Sequence, residues 1–111
     1  MKLKISVHTG LKTVEISGAI EAKDILRLKK ELESEAGPTL VVFDLSEVES
    51  LGSHFINLVA GWKKRHPLEA ARLRLVNPNG QVVRIFRMAE AEDVLSEGSY
   101  HGSDASNFRW H

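Results

Sequence analysis

The sequence predicts an α/β domain: a mostly parallel, mixed sheet with an N-terminal hairpin and helices packed mainly on one face. Three observations predict it. The first twenty residues show apolar alternation twice, interrupted by Thr9-Gly10. A continuous apolar run, Leu40 to Phe43, marks a strand buried on both faces. From Glu21 onward, segments of helical period separate the strands one by one, which implies parallel neighbours joined by right-handed crossovers.

Each element follows from its local pattern. Leu3, Ile5 and Val7 alternate with Lys4 and Ser6, and Val14 and Ile16 repeat the alternation before Gly18. A hairpin turning at Thr9-Gly10 joins the two runs. Ile25, Leu28 and Leu32 then recur three and four residues apart, predicting a helix over Lys23–Ala36 that Gly37-Pro38 stops. Thr39 to Leu45 reads as a central strand, and Ser46 to Ser50 as a polar connection. Leu51-Gly52 turns into Ser53, which the pattern makes the N-cap of a helix over Ser53–Arg65. Lys63, Lys64 and Arg65 complement the dipole of its last turn, and Pro67 ends it. Arg72 to Val76 alternates as a further strand. Asn77-Pro78-Asn79-Gly80 is a turn, Gln81–Met88 a helix, and Ala91 to Leu95 a last short helical segment. From this the domain spans residues 1–96, and the Ser- and Gly-rich residues 97–111 form a tail, flexible unless Tyr100, Phe108 and Trp110 dock.

Composition narrows the chemistry. The 111 residues fit one domain. A formal net charge of +0 argues against a nucleic-acid binder, which carries a basic excess. The absence of cysteine excludes disulfides and thiolate metal sites. No stretch approaches the roughly 18 apolar residues that span a bilayer. The N-terminus lacks the apolar block of a signal peptide. The expected location is cytoplasmic, without membrane insertion.

No catalytic, cofactor or metal site is expected. Ser53, His54 and Asp44 invite a hydrolase reading, but adjacent helix residues point about 100° apart, which is poor for proton transfer. No nucleophile elbow and no phosphate-binding glycine motif occurs. The five histidines have no ligand spacing; His101, Asp104 and His111 read as solvated tail residues.

The helix after Gly52 carries two apolar stripes. Ile56, Val59 and Ala60 should face the sheet. Phe55, Leu58 and Trp62 should lie beside them, against neighbouring helices or, alternatively, as an exposed partner patch. Ser53, His54, Asn57 and Gly61 share a further side, where small or polar residues leave the helix open to a partner.

Five stretches together resemble the STAS domain of anti-sigma factor antagonists. Gly18-Ala19-Ile20-Glu21 resembles the family's Gly-x-Leu-Asp after the second strand. Val41 to Val48 resembles its Val-Val-Leu-Asp-Leu-Ser-x-Val, and Leu51-Gly52-Ser53 stands where it has Ile-Asp-Ser. Leu73 to Pro78 and Val82 to Met88 resemble its last strand and following helix. The resemblance covers Leu3 to Leu95. It implies a non-enzymatic module that binds an anti-sigma factor which is also its serine kinase, of the histidine-kinase-like ATPase type. It implies phosphorylation at Ser53 and a partner surface of Glu21, Gly52, Ser53, His54, Asn57 and Gly61. The chain departs from the pattern at Gly52, His54 and Phe55, where the family has Asp, Ser and Gly. Those departures are compatible with a second expectation, a phosphorylation-independent scaffold or interaction subunit of a signalling or transport complex.

Overall fold

The computed structural model describes residues 1–33 and 40–95. Four strands form one sheet in the order β1 (Lys2–His8), β2 (Leu11–Ile20), β3 (Leu40–Leu51) and β4 (Leu73–Val76). β1 and β2 are the expected antiparallel hairpin, while β2–β3 and β3–β4 are parallel. The three helices are α1 (Ile25–Leu32), α2 (Ser53–Arg65) and α3 (Gly80–Met88). The expected helix over Lys23–Ala36 opens as a single 3-10 turn, Ala22–Asp24, before α1. Its last residues, the Gly37-Pro38 stop and the tail lie outside the described residues.

The core lies between one sheet face and the helices. Val14, Ile16 and Ile20 of β2 meet Phe43, Leu45, Val48 and Leu51 of β3 and Leu73 and Leu75 of β4. Leu28, Leu32, Val82, Val83 and Phe86 close it from above. At its margin the buried Lys12 ammonium pairs with the Glu31 carboxylate and donates to the Glu31 carbonyl at 3.2 Å.

β3 corrects one expectation. Ser46 to Ser50 is not a connection; the strand continues through it to Leu51. The inward residues Phe43, Leu45, Val48 and Leu51 are two, three and three apart. Two register shifts against β2, at Glu15/Ser17 and Gly18/Ala19, account for the threes. Each adds a residue to β3, so the strand returns its next apolar side chain inward one position late. Gly18 adopts φ +86 at the second shift, a left-handed conformation that favours glycine.

Of the two expectations for Phe55, packing against a neighbouring helix holds and the exposed patch does not: it is fully buried, its ring 6.4 Å from Phe86 of α3 and equally from Phe43 of the sheet. Ile56, Leu58 and Val59 are buried as well, and Trp62 and Ala60 are half-buried against the same cluster. The Phe55 ring thus lies between Phe43 of the sheet and Phe86 of α3, and the two apolar stripes form one wide buried face.

Candidate functional site

The ends of β2 and β3 bring the expected site residues to one edge of the sheet. Ile20 pairs with Leu51, so Glu21 and Gly52 leave the sheet side by side. The chain after Glu21 turns at once. The Glu21 amide donates to the Asp24 carboxylate at 2.9 Å, and the Asp24 amide to the Glu21 carbonyl at 2.9 Å. Lys23 stands 3.6 Å from the Glu21 carboxylate, both exposed. Glu21 thus shapes the turn and still offers its charge to solvent.

Gly52 sits in extended backbone at φ −113 and is the N-cap of α2. Ser53 is the first helical residue, which corrects the expectation that Ser53 caps the helix. Both residue types are accepted at an N-cap, and the helix starts one residue earlier than the hydroxyl pattern suggests. Gly52 has no side chain to accept a helix N–H, so only its carbonyl closes the first turn, taking the Phe55 amide at 3.1 Å. A β-carbon at position 52 would meet nothing within 4 Å.

Ser53, His54 and Asn57 are exposed and Gly61 half-buried along α2. Burial of Phe55, Ile56, Leu58 and Val59 leaves these residues as the outward strip of its first two turns. A hollow of about 260 Å³ opens beside Asn57, Ala60, Gly61 and Lys64. Ala60 and Lys64 were not among the expected contact residues. Their spacing of three from Asn57 and Gly61 is the signal that could have found them. At the end of the helix Lys63 is half-buried. Its ammonium is held below the ordinary lysine range, first by burial and then by Arg74, with Asp93 opposing.

Asp44 does not join this strip. Its carboxylate accepts from the Ser46 amide at 3.0 Å and from the Asn77 side chain at 3.3 Å. It braces the first β3 shift against the β4–α3 turn. Among the described residues no three His, Asp or Glu side chains stand together as metal ligands. No described helix is long and apolar enough to cross a membrane.

This arrangement of sheet and helices has known counterparts. The family model described as Mlab, STAS domain, matches residues 6–96. The chain belongs to the STAS domain family. None of the curated proteins matches it in sequence. In three dimensions the domain is similar to the unphosphorylated anti-sigma factor antagonist SpoIIAA. The TM-score is 0.71 at 13% identity, over 92% of each chain. It is also similar to an anti-sigma factor antagonist from Mycobacterium paratuberculosis, with TM-score 0.69 and 22% identity, over 85% of this chain and 81% of that one. A third likeness is to SLC26A9, with TM-score 0.51 and 15% identity over 78% of this STAS domain. There the match covers 17% of the other chain, so the same fold is one segment of a larger protein.

Proposed function

We propose that this STAS domain is a non-enzymatic regulatory binding module that antagonises an anti-sigma factor in the bacterial cytoplasm. The partner is an anti-sigma factor and serine kinase of the histidine-kinase-like ATPase type. It docks on Glu21, Gly52, Ser53, His54, Asn57 and Gly61, and phosphorylation of Ser53 releases it. The observation that carries the reading is the outward strip of α2, whose exposed serine opens the helix and whose other side is buried. The fold similarity to anti-sigma factor antagonists supports it.

A phosphate on Ser53 adds roughly −1.5 to −2 charges at the positive end of the helix dipole. The domain itself tolerates that charge. A partner surface fitted to a neutral hydroxyl does not, because desolvating an unpaired dianion costs several kcal/mol. A loss of about 2.7 kcal/mol already weakens binding about a hundredfold. Isolating the partner from native cells, with mass spectrometry of Ser53, tests the reading. Ser53→Ala should bind constitutively and Ser53→Asp poorly, both folded. Leucine at Asn57 or Gly61 should weaken binding in a folded domain; unchanged affinity would rule this surface out.

Gly52 favours a second reading, a phosphorylation-independent scaffold or interaction subunit of a signalling or transport complex. The acid the family places beside the serine is missing there. Equal binding by Ser53→Ala and Ser53→Asp, with no phosphate on Ser53 in cells, would select it.

A further inference from the structure

β1 is the outer strand on the side away from β4. Its seven residues present two kinds of side chain. Leu3, Ile5 and Val7 stand opposite Ile16, Val14 and Lys12 of β2, on the face that carries the core. Lys2, Lys4, Ser6 and His8 occupy the other face. Over β2 the core face is closed, with Val14 at 0% and Ile16 at 1% exposure. Over β1 the cover thins along the strand: Leu3 still packs at the margin of the core, while Ile5 is 42% exposed and Val7 64%. An apolar row on an outer strand is a template for another strand.

The ladder fixes which backbone groups that strand offers. The two-residue turn Thr9-Gly10 closes on the pair His8–Leu11, which therefore exchanges both ladder bonds. Bonded and non-bonded pairs alternate from there along an antiparallel ladder. The amides and carbonyls of Leu3, Ile5 and Val7 consequently point away from β2, toward the open edge. The two exposed apolar residues, Ile5 and Val7, are thus among those with outward backbone groups.

We propose that β1 pairs antiparallel with β1 of a second copy of this chain, about a two-fold axis through Ile5, giving a continuous eight-stranded sheet. The sequence of the strand selects both the occupant and the register. Centred on Ile5, the pairing sets Ile5 against Ile5, Leu3 against Val7, Lys4 against Ser6 and Lys2 against His8 of the other copy. All seven residues are paired, every apolar side chain meets an apolar one, and no lysine stands directly opposite a lysine, the two Lys4 residues being diagonal neighbours across the axis. Centred on Lys4, the same strands would oppose two ammonium groups on the closely spaced pair. Centred on Ser6, they would leave Leu3 opposite the Thr9 turn. Lysines on an outer strand ordinarily discourage pairing. Here they discourage the shift toward Lys4 and spare the Ile5 register. The dimer carries two α2 strips, so it can engage two partner molecules or one two-fold partner, with the gain in effective concentration that linkage brings.

The chain has no cysteine, so a single introduced thiol reports the contact cleanly. Directly opposed residues of a bonded antiparallel pair lie about 5.5 Å apart at Cα, within the range a disulfide bridges. Ile5→Cys in the full chain should cross-link to a dimer under mild oxidation. Met88→Cys, on an exposed residue of α3, should not keep pace. Sedimentation velocity should find a dimer for the wild type, and Ile5→Lys should raise its dissociation constant about a hundredfold or more, a loss of about 2.7 kcal/mol. If circular dichroism shows that Ile5→Lys does not fold, Val7→Lys serves the same purpose on the more exposed position. A wild type that stays monomeric at millimolar concentration overturns the proposal. So does a dimer that folded Ile5→Lys or Val7→Lys leaves intact, or Ile5→Cys cross-linking no faster than Met88→Cys. None of these outcomes touches the α2 strip, whose own test is partner binding by the Asn57 and Gly61 variants.

Discussion

Two helices begin at the same end of this sheet, and they begin differently. α3 starts at Asn79, whose side chain is fully employed. Its Oδ1 accepts the Val82 amide at 3.0 Å, while its Nδ2 donates to the Val48 carbonyl at 2.8 Å and the Ser46 carbonyl at 3.5 Å. Pro78 beside it is buried. α2 starts at Gly52, which has no side chain, and continues into the exposed Ser53 and His54. One helix start is a joint of the fold, holding β3 where its shifted register leaves carbonyls beyond the reach of the short β4. The other is held only from behind, by Phe55 in the core, and its front is open. A chain that builds a complete cap at one helix start can evidently build one. The open start of α2 fits a surface reserved for contact rather than a lapse in local design.

The largest effect should come from breaking the joint. Asn79→Ala removes a cap worth about 1 kcal/mol. It also strands the Val48 carbonyl, at a cost of about 1–3 kcal/mol for a buried acceptor. A destabilisation of about 2–4 kcal/mol in urea unfolding is expected. Asn79→Asp keeps the cap oxygen but turns a donor into a carboxylate against that carbonyl. It should therefore recover less than half of the loss. Full recovery would mean that the cap, and not the bridge to β3, is what Asn79 contributes.

The contrast also shows what the sequence could and could not tell. Element order follows from changes of period, the hairpin from the Thr9-Gly10 turn, and the central place of Leu40–Phe43 from its unbroken apolar run. The second half of β3 did not, because its inward residues fall three apart and resemble neither strand nor helix. Two register shifts produce that spacing, and they are made jointly with β2. The one local trace was Gly18, since a glycine inside a strand pattern signals a bulge. Asn79 was readable as a turn residue, yet its role as a bridge to β3 depends on a contact thirty-one residues away. The outward strip of α2 was readable because helical spacing alone groups Ser53, Asn57 and Gly61. What spacing could not give was Phe55: whether it faced sheet or solvent depended on α3 supplying Phe86 on its far side.

A smaller effect separates folding from binding on the open helix. A methyl group added at Gly61 would lie 3.2 Å from the end of the Arg65 side chain, which can move aside. Nothing in the domain's backbone requires glycine there. Gly61→Ala should therefore stabilise the domain by about 1 kcal/mol, the difference in helix propensity. Calorimetry would show it as a higher Tm. If the strip receives a partner closely, the same variant should bind that partner more weakly while being more stable. A rise in both would show that Gly61 serves neither folding nor contact.

The smallest expected change is the most informative about the open helix start. Gly52→Asp places a carboxylate at the N-cap, in the position where the STAS pattern has its acid. The backbone at φ −113 accepts any residue, and the added β-carbon meets no atom within 4 Å. Aspartate improves on glycine as a cap by a few tenths of a kcal/mol. Its charge at the positive end of the dipole adds a similar amount. The stability gain should thus be about 0.5 kcal/mol, present when the carboxylate is ionised and lost in acid. Its effect on function divides the two readings. If Ser53 is a phosphoacceptor, the restored acid stands beside it and should raise the rate at which the partner kinase modifies it. If the domain is a constitutive scaffold fitted to a neutral helix start, the new charge should weaken the complex, and no phosphate should appear. A variant that gains stability but changes neither modification nor affinity would remove Gly52 from the contact surface. The binding strip would then be confined to the outward residues of α2 itself.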